Sequence, residues 1–151
     1  MKPAWKFHFA VLLALSFWVG CATNSSEITV TVITDRWSDG SPKREATVAD
    51  GDTIRLQIYY EDGILEKSSE WKDGKREGKW EAFYPNGSEW SVHTYENGVQ
   101  VGVYRTWHPN GQPFIVGHYD AAGNPDGTWC FYDEQGQLMQ EKSGSSIHNP
   151  S

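Results

Sequence analysis

Gly78-Lys-Trp80-Glu-Ala-Phe83-Tyr84-Pro-Asn-Gly87 returns as Gly102-Val-Tyr104-Arg-Thr-Trp107-His108-Pro-Asn-Gly111, and again as Gly127-Thr-Trp129-Cys-Phe-Tyr132-Asp-Glu-Gln-Gly136. Each copy has an aromatic two and five residues after its first Gly and a closing Gly nine after it. The same ruler finds Ile54-Arg-Leu56-Gln-Ile-Tyr59-Tyr60-Glu-Asp-Gly63, with Ile for the opening Gly, and a fainter copy from Thr31 to Asp39-Gly40. One unit therefore repeats every 23 to 25 residues. A fixed short period means stacked copies of one supersecondary unit, so function belongs to a surface rather than to one central pocket.

Asp39-Gly40, Asp62-Gly63, Asp73-Gly74, Asn86-Gly87, Asn97-Gly98 and Asn110-Gly111 are dipeptides that tolerate positive φ and favour hairpin turns. Between them lie β-branched and aromatic runs. Stretches such as Trp90-Ser-Val92-His-Thr94 alternate with period two, and no segment after residue 21 holds a 3.6 period. The reading is all-β: about four or five tandem antiparallel hairpins over 31–143, forming one elongated, twisted sheet. Pro85 and Pro109 fall at strand ends, where a missing N–H does no harm. A lone hairpin is not stable, so the recurring Trp and Tyr must supply a face shared between units.

The phrase resembles the MORN-repeat variant family of bacteria, MORN standing for membrane occupation and recognition nexus. The resemblance covers 54–136 well and 31–53 weakly. It implies a trough-like sheet of hairpins, a binding or scaffold role, and no catalytic residues. Many such proteins carry an antitoxin or immunity label, which the resemblance extends to this chain as an expectation. The departures are Ile54 for Gly, Tyr104 for Trp and Gln135-Gly136 for Asn-Gly.

Residues 1–20 are of another class. Lys2 and Lys6 precede an apolar run from Phe7 to Val19, the pattern of a secretory signal peptide, and the run is shorter than the ~20 residues of a membrane-spanning helix. Trp18-Val19-Gly20-Cys21 resembles the lipobox of bacterial lipoproteins, with Trp18 where an aliphatic residue is usual. Lipidation of Cys21 would hold the chain on a membrane. By resemblance to lipoprotein sorting, Ala22 after the Cys implies the outer membrane in a Gram-negative cell. The alternative is ordinary cleavage near Ala22, giving a secreted or periplasmic soluble protein. Residues 21–30 read as the lipidated Cys and its tether, and 144–151 as a flexible tail.

Thirteen Lys and Arg stand against 20 Asp and Glu, for a formal net charge of −7. Removing residues 1–20 deletes two lysines and no acid, so the remainder is more acidic still. Such a chain repels phosphate backbones, which excludes nucleic acid as the expected partner, and it disfavours direct adhesion to anionic headgroups. Cys130 reads as a buried inert thiol, since with Cys21 lipidated no disulfide can form. His93, His108 and His118 lie in different repeats without metal-ligand spacing. No phosphate loop, nucleophile elbow or dinucleotide fingerprint occurs, and no cofactor or metal is implied.

Three functions are weighed. The first is an envelope-anchored, non-enzymatic module for a protein partner, with Trp80, Tyr84, Tyr104 and Trp107 as candidate anchors, because Trp and Tyr dominate interface hot spots. The second is a glycan-binding lipoprotein in which aromatic faces stack on sugars. The third and most remote is a hydrolase, for which two correctly separated carboxylates would suffice among dispersed acids.

Overall fold

The computed structural model describes residues 28–147. Residues 1–27, which hold the signal segment, Cys21 and most of the tether, and residues 148–151 lie outside them. Ten strands follow one another: β1 Thr29–Arg36, β2 Pro42–Ala49, β3 Asp52–Tyr59, β4 Leu65–Lys72, β5 Lys75–Phe83, β6 Glu89–Glu96, β7 Val99–Trp107, β8 Pro113–Tyr119, β9 Pro125–Tyr132 and β10 Leu138–Ser143. Each pairs antiparallel with its neighbours in sequence, in one open ten-stranded sheet running from β1 to β10. The protein is all-β, and the repeat unit is a hairpin, with β1–β2 through β9–β10 making five.

The two ends of the strands are built differently. At one end Asp50-Gly51, Asp73-Gly74 and Asn97-Gly98 have positive φ at both residues, the two-residue turn whose twist matches the strands it joins. At the other end run five-residue loops, Trp37–Ser41, Tyr60–Ile64, Tyr84–Ser88, His108–Gln112 and Asp133–Gln137. In each, the first residue's N–H donates to the fifth residue's C=O at 2.8–3.0 Å, and the Gly N–H donates back to the first residue's C=O. The carboxylate or amide oxygen of Asp39, Asp62, Asn86 and Asn110 accepts the N–H two residues on. The sequence reading treated Asp62-Gly63 and Asp73-Gly74 as one kind of joint. They are two, and Asp50-Gly51 is a further turn that it did not single out.

Gly78, Gly102 and Gly127 sit inside β5, β7 and β9 with φ of 63°, 71° and 64°. Each marks a bulge: Ser69 pairs with Trp80, yet Glu70 pairs with Glu77, so Gly78 and Lys79 are looped out. The same step occurs between Arg105 and Val101 and between Cys130 and Asp126. In β3 the step is shorter, Thr47 pairing with Arg55 and Val48 with Thr53. No left-handed residue is needed there, and this is why Ile54 can stand where the other units have Gly.

The sheet is a single layer, so burial is shallow. The deepest large side chains are Trp129 and Tyr119, 3% and 6% exposed. Two boundaries differ from expectation. β1 begins at Thr29, inside the segment read as tether. Gly144–Ser146, read as part of a flexible tail, forms a 3₁₀ turn against β9 with Gly144 buried. A Cβ on Gly144 would lie 2.4 Å from the Pro125 carbonyl oxygen, so the missing side chain is what lets this turn close.

Candidate functional site

Alternation along each strand sorts side chains to two faces, and stacking of repeats turns equivalent positions into stripes. One stripe is aromatic. Trp71 packs on Trp80 and Trp80 on Tyr95, each at 5.2 Å between ring centroids. Farther along, His93 meets Tyr104 edge-on at 4.9 Å, and Tyr104, Tyr119 and Trp129 form a cluster at 5.1–6.0 Å. Such pairs contribute about 0.5–1.5 kcal/mol each beyond area burial. Beside the rings runs a floor of small buried residues, Ala46, Ser69, Ala82, Ser91, Thr106 and Gly117, one on each of β2 and β4–β8.

A second row borders the floor and arises from one-residue bulges near the five-residue loops. Ala82 pairs with Ser91 but Phe83 with Glu89, so Trp90 is the extra residue. It turns to the same side as Ser91, lining a trough with it, Ala82 and His93. Phe114 and Met139 hold the same position in β8 and β10, as Glu66 does in β4 and Lys43 in β2. Trp90 lies 6.3 Å from Tyr84, Phe114 lies 4.7 Å from His108, and the Lys43 ammonium stands 4.6 Å over Trp37. In these three hairpins the bulge residue lies beside its own loop's ring. Between the stripes a trough of about 370 Å³ crosses β3–β7, bounded by Leu56, Ile58, Trp71, Trp80, Trp90 and Tyr104.

The four residues singled out from sequence do not converge. Trp80 and Tyr104 wall the trough. Trp80 donates from Nε1 to the Glu70 carbonyl at 3.0 Å, and the Arg76 guanidinium lies 4.9 Å over its ring. Trp107 lines a recess with Val92, Val103 and Arg105, which alternate with the trough residues and so mark the opposite face. Tyr84 is a strut whose hydroxyl donates to the Trp107 carbonyl at 2.8 Å. Trp90, Phe114 and Met139 were missed as a group, although each stands three residues after a closing Gly, a signal the repeat ruler contains.

The trough's polar chemistry is sparse. His93 Nδ1 is 3.0 Å from Gln100 Nε2, and burial holds its pKa below the ordinary histidine value. Glu81, the carboxylate in the lining, is paired with Lys79. Other acids have structural duties. Glu70 accepts from the Lys79 N–H and from Arg55, both at 3.0 Å, and Glu77 accepts from the Asn97 N–H at 2.8 Å. Cys130 is half-buried on β9, its thiol 4.0 Å from Glu141. Among the described residues no cluster of three His, Cys, Asp or Glu is placed to hold a metal ion.

No curated protein and no solved structure matches the chain. The family model described as MORN repeat variant matches 76–97, 100–121 and 125–143. These segments follow the hairpins β5–β6, β7–β8 and β9–β10, so the match falls on three consecutive repeats, and the sheet continues beyond them with the hairpins β1–β2 and β3–β4.

Proposed function

We propose that this chain is a non-enzymatic binding module that seats a protein partner in its trough and is held in the cell envelope, in the outer membrane of a Gram-negative cell, through a lipidated Cys21. The observation that carries the reading is the trough itself, about 370 Å³ and walled by Trp71, Trp80, Trp90 and Tyr104. Apolar recesses with aromatic rims are where interfaces concentrate their binding energy. The MORN-variant repeats support a scaffold of this kind, and the anchor rests on the sequence Val19-Gly20-Cys21. An immunity-like partner, a toxin, is the special case that the resemblance suggests. Stacking on a glycan fits less well, since Trp80 already carries Arg76 on its ring and packs against Trp71 and Tyr95.

The test is in-cell crosslinking from a photoreactive residue at Thr106, on the trough floor, followed by affinity capture and mass spectrometry. A Cys21→Ser version serves as control. One near-stoichiometric protein, captured from the floor and not from a label at Val103 on the opposite face, is the expected result. Equal capture from both positions would remove the trough from the account. The Cys21→Ser protein should leave the membrane fraction, and its retention there would refute the anchor.

A further inference from the structure

The bulge row changes character along the sheet. Lys43 and Glu66 occupy it in the first two hairpins, and Trp90, Phe114 and Met139 in the last three. Those three are 46%, 37% and 58% exposed. Residues that close a single-layer sheet should be covered, and these are lifted toward solvent by a bulge that recurs in every unit. Bulges of this kind re-aim a side chain. The neighbouring rings, Tyr84 and His108, are held by hydrogen bonds to the Trp107 and Tyr132 carbonyls at 2.8 and 3.0 Å, so the platform beneath the row is fixed.

The row has a spacing and a charge. Adjacent strands lie about 4.8 Å apart, so the same position in successive hairpins recurs about every 10 Å. An α-helix rises 1.5 Å per residue and advances about 10 Å per heptad. A strand partner laid across the sheet would bring same-side residues only about 7 Å apart and fall out of step. Around the row β6 and β8 contain no Lys or Arg, nor do the loops 84–88, 108–112 and 133–137. The five-residue loops on this edge instead hold Asp39, Glu61, Asp62, Asp133 and Glu134, and the nearby cations are engaged, Lys67 with Glu66 at 3.0 Å and Lys142 over the Phe131 ring.

We infer that Trp90, Phe114 and Met139 form a docking ledge for an amphipathic α-helix with basic flanks, which seats one apolar heptad position on each of the last three hairpins. This rests on the binding-module reading and names the partner's chemistry. The ledge begins where the row turns from charged to apolar, so Glu66, paired with Lys67 at 3.0 Å, marks its N-terminal limit.

The probe is a synthetic peptide of about three heptads, with Leu at the a and d positions, Lys and Arg beside them and Ala elsewhere. Its control has the same composition arranged with period two. Both are titrated into the full chain carrying Cys21→Ser, with tryptophan fluorescence and peptide helicity as readouts. The heptad peptide should bind, gain helicity, and exceed the control by about tenfold or more, which is about 1.4 kcal/mol. The exposed triple change Trp90→Ala, Phe114→Ala and Met139→Ala should abolish that preference with the far-ultraviolet spectrum unchanged. Equal binding of the two peptides, binding of neither, or a triple variant that keeps the preference overturns the inference. So does association with phosphatidylethanolamine–phosphatidylglycerol vesicles that needs the same three residues while the peptides do not bind. If crosslinking from Thr106 still captures one protein, only the helix inference has failed. If it captures none, the binding-module reading has failed with it.

Discussion

At the residue scale two glycines show how different physical reasons select the same amino acid. Gly117, in the row of small buried residues, has no unusual φ, but a Cβ there would lie 2.3 Å from the Trp129 ring. Gly117→Ala should destabilise the protein by about 1–3 kcal/mol, the usual cost of overpacking, seen as a lower urea midpoint with a shifted Trp129 emission. Gly102 has open space around its Cβ direction but a φ of +71°. Gly102→Ala should cost about 1–2 kcal/mol through the backbone alone and leave that emission in place. His93 gives a pH dependence. Burial lowers its folded pKa, so the unfolded chain takes up the proton first. The stability it contributes is present above its unfolded value of about 6.5 and is lost as pH falls through its folded value. Melting temperature should therefore decline as pH drops below about 6.5, and His93→Gln should flatten that slope. Asp39 and Asp120, held below the ordinary carboxylate value by hydrogen bonds from Ser41 and Asn124, act only at lower pH. The opening Gly and the rings were legible as a repeat. The ring two residues after the opening Gly and the ring five after it are an odd number apart, so alternation alone puts Trp80 and Trp107 on opposite faces. What was not legible is the bulge that turns Trp90 to the trough side.

At the element scale the hairpins are joined by a ladder of rings along the five-residue loops. Trp37 donates to the Tyr59 carbonyl at 3.2 Å, Tyr60 to Phe83 at 2.8 Å, Tyr84 to Trp107 at 2.8 Å and His108 to Tyr132 at 3.0 Å. Asn86 and Asn110 reach the Pro109 and Glu134 carbonyls at 3.3 and 2.7 Å. Tyr84→Phe keeps the ring and deletes one rung. It should lower stability by about 0.5–1.5 kcal/mol and speed amide exchange in the loop 108–112, with far-ultraviolet dichroism unchanged. The turns were legible in part. Asp-Gly and Asn-Gly announce a reversal, but only the position of the next ring separates a two-residue turn from a five-residue loop. The β8–β9 connection lacks the tight dipeptide. There Asp120 N–H donates to the Asn124 carbonyl at 2.9 Å, the closure used at the other end of the sheet, which accounts for the extra residue in the last period.

At the scale of the whole molecule, stability should behave as a sum of hairpins and the contacts between neighbours, and those contacts are unequal. β9 brings Trp129, which packs on Tyr104 and Tyr119, whereas every residue of β1 is exposed. Ending the chain before β9 should give a broad, low melting transition, and removing β1–β2 a sharp one at modestly lower temperature, as calorimetry would show. The array was legible because a period survives substitution. The trough was not, since it exists only where neighbouring units meet. The ladder of rings also has a direction. Every rung runs from an earlier hairpin to a later one, so as the chain leaves the ribosome the donor is already in place when its acceptor arrives. In the last loop Asp133 stands where the earlier loops have Trp37, Tyr60, Tyr84 and His108. Its carboxylate turns back to the Gln135 and Gln137 N–H groups of its own loop, and with no hydrogen left to offer forward it serves as the stop signal of the series.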